Sequence, residues 1–248
     1  MTPVTSERIA ILSDIHGNLP ALEAVLEDVE AAGLEERWCL GDVVGYGAQP
    51  DECARLVSER CSVCLAGNHD LAVLGELDIS AFSDLAAAAV HWTREHAAPD
   101  TLDYLRDLEP SDTSHEVALY HGSPRDPIWE YVLWSDQAAE CLEIQDARVS
   151  LIGHSHVALF FVDNDGQEQG GQASAGTELD LATGRWLVNP GSVGQPRDGD
   201  ARAAWLELDT ESWSATYRRV DYDIERAATA IGEAGLPEQL GHRLHIGQ

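Results

Sequence analysis

The chain has 248 residues, 44% of them hydrophobic, enough to bury a sizeable core in a single domain spanning residues 1–248. Its formal charge of −29 is extreme: 44 acidic side chains face 15 basic ones, and every basic one is arginine. Such a surface repels polyanions at long range, which disfavours a nucleic-acid polymer as partner and nuclease as function, yet leaves room for a small anion drawn to a local cation.

Residues 8–12 form an apolar run that reads as a buried strand. Asn18 then opens an amphipathic helix on which Leu22, Val25, Leu26 and Val29 recur at helical spacing, closed by Gly33. A strand at 37–40, a helix at 50–59 and a strand at 61–66 continue a βαβαβ alternation, which predicts a parallel sheet. Helical patterns at 83–96 and 100–108 each carry a capping residue, 116–120 returns to strand, and a helix at 136–144 leads to a strand at 149–152.

Turn chemistry then separates short strands at 157–162, 178–181, 185–188, 203–208 and 214–219, with Asp163-Asn164-Asp165-Gly166 and Thr183-Gly184 as hairpin turns. This half is expected to be a β-meander forming a second sheet packed on the first. Residues 167–176, rich in Gly and Gln, are expected to be a mobile loop. A closing helix is expected at 225–234, its face carried by Ile224, Ala228 and Ile231.

Four segments just after apolar runs carry the chemistry: Asp14-Ile15-His16, Gly41-Asp42, Gly67-Asn68-His69-Asp70 and Gly153-His154-Ser155-His156. Sites in open α/β sheets gather beyond the carboxyl ends of strands, so these termini can converge on one crevice. In an extended strand residues i and i+2 share a side, so Asp14 and His16 can face one cation, and so can His154 and His156. One such pair arises by chance in many proteins; the ordered set is what points to a metal site. His121, after the run 117–120, supplies a further imidazole. His91, His96, His115, His242 and His245 read as structural.

The cysteines, Cys39, Cys53, Cys61, Cys64 and Cys141, are odd in number, and no second pair follows Cys61 and Cys64, so they read as buried thiols. No charged-then-apolar leader opens the chain and no stretch approaches the ~18 apolar residues of a membrane span, so a reduced, cytoplasmic setting without membrane contact is expected.

The order D-x-H, G-D, G-N-H-D, H and G-H-x-H resembles the calcineurin-like metallophosphoesterase superfamily, specifically its small bacterial and archaeal phosphodiesterase-like branch. The segment Asn189-Pro-Gly-Ser-Val-Gly-Gln-Pro-Arg197 resembles a later loop of those members. The resemblance implies an α/β fold, a four-layer α/β/β/α sandwich of two packed mixed sheets flanked by helices. It puts Asp14, His16 and His156 on one metal and Asn68, His121 and His154 on the other, with Asp42 bridging. Carboxylate, amide and imidazole donors without thiolate suit two divalent transition-metal ions such as Mn, Fe, Zn or Ni.

Two cations about 3.5–4 Å apart can clamp a phosphoryl group and lower the pKa of a shared water, giving a hydroxide nucleophile. The expected function is therefore dinuclear hydrolysis of a small phosphodiester or nucleotide-like substrate. His69, beside Asn68 but outside the ligand set, is the candidate general acid or charge stabiliser. Asp70 either orients His69 and raises its pKa, as the family's acidic residue there does, or caps a helix beginning at Leu71. Arg125 and, with less weight, Arg197 are candidate phosphate-binding groups, since a guanidinium suits bidentate recognition; each also has an adjacent acid to pair with. Asn18 caps its helix and is a further candidate for facing the substrate.

A serine/threonine-type protein phosphatase and a non-catalytic scaffold of the same fold are the alternatives. Trp129, Tyr131 and Trp134, in residues 126–134, either stack on a base, seal the core or make a homo-oligomeric interface, with the core favoured over the base.

Overall fold

The computed structural model describes residues 8–248. In chain order the strands are β1 (Arg8–Leu12), β2 (Glu36–Cys39), β3 (Val63–Cys64), β4 (Ser111–Asp112), β5 (Ala118–Tyr120) and β6 (Val149–Leu151). There follow β7 (Ala158–Asn164), β8 (Gln167–Gln172), β9 (Glu178–Asp180), β10 (Arg185–Pro190), β11 (Ala203–Asp209) and β12 (Ser214–Val220). The helices are α1 (Leu19–Ala31), α2 (Pro50–Arg60), α3 (Asn68–Leu74), α4 (Asp84–His96), α5 (Pro99–Arg106), α6 (Ser135–Ile144), α7 (Ile224–Glu233) and α8 (Glu238–Ile246).

Two six-stranded mixed sheets result, ordered β3-β2-β1-β11-β12-β9 and β4-β5-β6-β10-β7-β8. Strand alternation shows how they stack. Ile9 and Ile11 of β1 join Leu119, Leu151 and Val188 in a core between the sheets, while Ala10 and Leu12 turn to Leu22, Val25 and Val57 of α1 and α2. On the far side Phe161 and Leu187 pack against Ala138, Cys141 and Leu142 of α6. The layers are α/β/β/α.

The parallel run β1-β2-β3 forms as the alternation requires, but β11 adds to it antiparallel, so the first sheet is mixed. The second half of the chain does not make a sheet of its own: β7, β8 and β10 join β4, β5 and β6, while β9, β11 and β12 join the first sheet. The reason lies in side chains on both faces of β11. Trp205 packs with α1, its indole donating to Asp28 Oδ2 at 3.0 Å, while Leu206 and Leu208 enter the inter-sheet core. A strand buried on both faces belongs inside a sheet, next to β1.

Residues 167–172 are an edge strand rather than a mobile loop, paired antiparallel with β7 along its whole length. Asp165 and Gly166, with φ of 52° and 85°, form the two-residue turn. Main-chain bonds hold this polar strand, and Gly170 lets Phe161 close over it, since a Cβ there would stand 2.4 Å from the ring. Helix α8 has no counterpart in the sequence pattern because Gly241 interrupts it; that glycine brings α8 against Ala228 of α7. Among the described residues all five cysteines are free, and no helix is long and apolar enough to cross a membrane.

Candidate metal centre

The loops after β1, β2, β3, β5 and β6 meet at one end of the sandwich. Backbone bonds lock them together: Asp14 N–H donates to Gly41 O at 3.0 Å, His16 N–H to Asp42 O at 2.9 Å, and Gly153 N–H to His121 O at 2.8 Å. Residues 189–197 close the ring, with Gly194 N–H on Asp14 O at 2.9 Å and Arg197 N–H on His156 O at 3.0 Å. Asn189 Nδ2 braces the His154 turn through Gly153 O at 2.6 Å and Ser155 Oγ at 3.0 Å. Close approach demands glycine at position 67, where a Cβ would lie 2.0 Å from Asp42 Oδ1.

Asp14, His16, Asp42, His154 and His156 all have left-handed backbones, with φ between 52° and 64°. Non-glycine residues pay for that conformation in steric strain, which persists where surrounding structure imposes it. The pairs at i and i+2 therefore converge through left-handed turns, not through a strand pleat. Spacing alone would also have put His154 with His156, yet they separate. One group comprises Asp14, His16, Asp42 and His156 and the other Asp42, His121 and His154, the donor atoms in each within 4.8 Å of one another. Asp42 is common to both. Asn68 Oδ1 lies 3.1 Å from His121 Nε2, placing the amide in the second group.

The protonation pattern can be read from the hydrogen bonds. His16, His121 and His156 direct Nδ1 to the carbonyls of Val44, Leu40 and Gln195 at 3.1, 2.8 and 2.6 Å. A carbonyl only accepts, so each Nδ1 carries the proton and each Nε2 offers a lone pair inward. His16 Nε2 and His156 Nε2 then face each other at 3.1 Å, with Asp14 Oδ1 3.4 Å from the latter and Asp42 Oδ2 3.4 Å from the former. Asp14 Oδ1, Asp42 Oδ2 and His154 Nε2 are buried without a hydrogen-bond partner. Converging acceptors with no donor among them fit a cation, and such backbone-held imidazoles are the usual outer support of a metal ligand.

Burial drives the same groups toward neutrality. None of these seven residues is more than 3% exposed. Burial holds the imidazoles of His16, His154 and His156 well below their ordinary range and pushes the Asp14 carboxyl up to about 7. Asp42 rises through burial and the nearby Asp70 charge. Neutral imidazoles are ready to ligate, and a bound cation would return the carboxylates to their charged form.

His69 stands beside the groups without entering either. Its ring lies edge-on to His16, centroids 4.8 Å apart, and contacts Tyr46 and Phe82 at 4.4 and 5.0 Å. Its N–H backbone donates to Asp42 Oδ1 at 2.8 Å. Asp70 does not hydrogen-bond the His69 ring. Its carboxylate accepts from the backbone N–H groups of Gly67, Val43 and Val44 at 2.9, 3.2 and 3.0 Å, and α3 starts at Asn68, so Asp70 ties the third-strand turn to the second-strand loop. Burial and the Arg197 charge lower the His69 pKa instead of Asp70 raising it.

The candidate substrate residues divide. Arg125 turns away to Glu140 and to Glu130, the latter at 3.3 Å. Asn18 spends its Oδ1 on the Ala21 N–H as helix cap and its Nδ2 on Gly194 O at 2.8 Å. Arg197 sits at the site: its guanidinium lies 5.6 Å from the Tyr46 ring centroid, and its charge acts on Asp14, Asp42, His16, His69, His154 and His156.

The aromatics of residues 126–134 are not core filler. Tyr131 stacks on His154 at 3.8 Å while remaining 43% exposed, Trp129 meets Phe82 at 5.4 Å, and Trp134 is 70% exposed. Tyr46 and Phe82 complete this rim. Neither was marked by sequence, although Tyr46 stands two residues from Val44, a hydrogen-bond partner of His16.

The strand-end loops of this sandwich assemble buried Asp, Asn and His donors that could hold metal ions. Residues 8–211 match the calcineurin-like phosphoesterase superfamily domain, and the chain belongs to that family of phosphate ester hydrolases. It is 38% identical over 246 residues to an uncharacterized protein of Methanocaldococcus jannaschii, covering 97% of this chain and 98% of that one. A metallophosphoesterase from Sphaerobacter thermophilus shares 39% identity and superposes with a TM-score of 0.89 over 97% of this chain and 99% of the other. A hypothetical protein from Pyrococcus horikoshii OT3, 22% identical with a TM-score of 0.77 over 97% and 98%, shows the same fold.

Proposed function

We propose that the chain is a dinuclear, metal-dependent phosphoesterase acting on a small phosphodiester or nucleotide-like substrate. The observation that carries this reading is the pair of donor groups sharing Asp42, whose inward atoms are all acceptors. Asp14, His16 and His156 would hold one divalent ion, Asn68, His121 and His154 the other, and Asp42 both. When bound, two divalent ions supply Lewis acidity toward the phosphoryl oxygens and acidify water to a nucleophile at neutral pH.

The chain's own residues do the rest. Nδ1–H bonds to Val44, Leu40 and Gln195 fix the rings of His16, His121 and His156 in the ligating tautomer. Arg197 orients the phosphate and offsets its charge. His69 donates a ring N–H to the leaving oxygen, stabilising charge as it develops. Tyr46, Phe82, Trp129 and Tyr131 crowd the site through ring contacts with His69, His154 and one another, which supports a small substrate over a phosphorylated protein chain. An overall negative surface supports the same choice over a nucleic-acid polymer.

The test is hydrolysis of bis(p-nitrophenyl) phosphate by protein loaded in turn with Mn, Fe, Zn and Ni. Turnover that vanishes on chelation and returns with one of these ions is expected. Absence of hydrolysis with all four, or full activity after chelation, would overturn the reading.

A further inference from the structure

The imidazoles of His16, His121 and His156 are gripped from the ring of strand-end loops, through the carbonyls of Val44, Leu40 and Gln195. His154 is gripped from elsewhere. Its ring stacks on that of Tyr131, with centroids 3.8 Å apart and planes inclined by 23°. Residues 122–134, which connect β5 to α6, supply this contact. The Trp129 backbone of the same connection adds a hydrogen bond that works against the effect of burial on His154.

The connection is built to hold one shape. Gly122 N–H donates to Pro127 O at 2.7 Å and Ser123 N–H to Asp126 O at 2.9 Å, while Asp126 Oδ1 accepts from the Ile128 and Trp129 N–H groups, each at 3.0 Å. Arg125 braces it, tying Glu130 at 3.3 Å to Glu140 of α6. Val132 is 1% exposed, in a core shared with Cys141 of α6 and with Ile152, two residues before His154. Tyr131 therefore stands between two anchored neighbours, Glu130 and Val132, and spends a ring face on His154 rather than on the core.

We propose that Tyr131 is a positioning residue for the second ion: its stack fixes the His154 imidazole so that the group of Asp42, His121 and His154 is set to ligate. This rests on the dinuclear reading of the site. A ring already held in place loses little freedom on ligation, as with other outer supports of metal ligands. The electron-rich face of a phenol also favours an imidazole that has given its lone pair to a cation. The Tyr131 hydroxyl, which bonds with Arg197, has no part in this hold.

Equilibrium dialysis of the full chain against graded MnCl2 tests it, with electron paramagnetic resonance separating a coupled Mn pair from a lone ion. His154→Ala removes the ligand outright and marks which binding step belongs to its group. Tyr131→Ala should weaken that step about ten-fold and the other less than about two-fold. Tyr131→Phe keeps the stacked ring and should bind both ions within about two-fold of wild type. Trp134→Ala, which removes an exposed ring from the same connection, should change neither step. If Tyr131→Ala binds both ions like wild type, weakens both steps alike, or is matched in weakness by Tyr131→Phe, the positioning role is overturned while the two-ion reading of the wild type stands. A wild type that takes up a single ion overturns that reading and the proposal with it. Selective loss of the marked step in a chain that hydrolyses no ester keeps the positioning role and loses the phosphoesterase.

Discussion

At the residue scale, the metal centre was legible because its donors are chemically distinctive and each follows an apolar run. Their partition was not legible from spacing, although the resemblance of the motif order implied the same two groups. Sequence spacing treats His154-Ser155-His156 as one face of a strand, whereas φ values of 64° and 59° turn the two rings to different groups. Asp70 was ambiguous for a similar reason: adjacency to His69 suggested a side-chain partnership, but three backbone N–H groups from two loops claim the carboxylate. Asp70→Ala should leave those buried donors unsatisfied and cost about 3 kcal/mol in urea unfolding. A variant as stable as wild type but slow in turnover would restore the orienting role. His69→Ala, by contrast, should retain metal and lose roughly 10²-fold or more in kcat on bis(p-nitrophenyl) phosphate. An unchanged kcat would remove His69 from the chemistry. Arg197 was readable as a phosphate binder only by type; its standing above Arg125 depends on which acids fold beside each.

At the element scale, apolar runs and caps located most strands and helices, while strand order lay beyond them. Placing β11 beside β1 needs contacts 195 or more residues apart, and β8 is held by main-chain bonds that leave no hydrophobic mark. The join between β1, β11 and β12 carries an ionic clasp: Glu207 accepts from Arg8 Nε at 3.1 Å and Arg218 Nη2 at 2.6 Å. Burial alone would raise its pKa, but these two bonds prevail and hold it below the ordinary 4.5. A carboxyl depressed on folding stabilises the protein above its unfolded pKa and surrenders that contribution as pH falls through the folded value. Wild type should therefore lose stability more steeply below about pH 4.5 than Glu207→Gln. Parallel acid-unfolding curves for the two proteins would show that the clasp contributes nothing.

At the scale of the whole molecule, a charge of −29 opposes compaction through self-repulsion. Added salt shortens the screening length from ~10 Å at 0.1 M to ~3 Å at 1 M, so NaCl should raise Tm. A gain on the order of 1 kcal/mol corresponds to ~2–4 °C for a chain of this size. A Tm that falls or stays level across that range would mean surface ion pairs outweigh the net repulsion. The same charge explains why local cationic features matter: in the proposed reading a phosphate approaching this acidic protein is drawn to Arg197 and to metal ions held by the donor groups. The most direct test of that account is metal content by mass spectrometry of protein purified without chelator. Two divalent transition-metal ions per chain in wild type, with Asp42→Asn falling below one, is the predicted result; a wild-type chain holding fewer than one would contradict it.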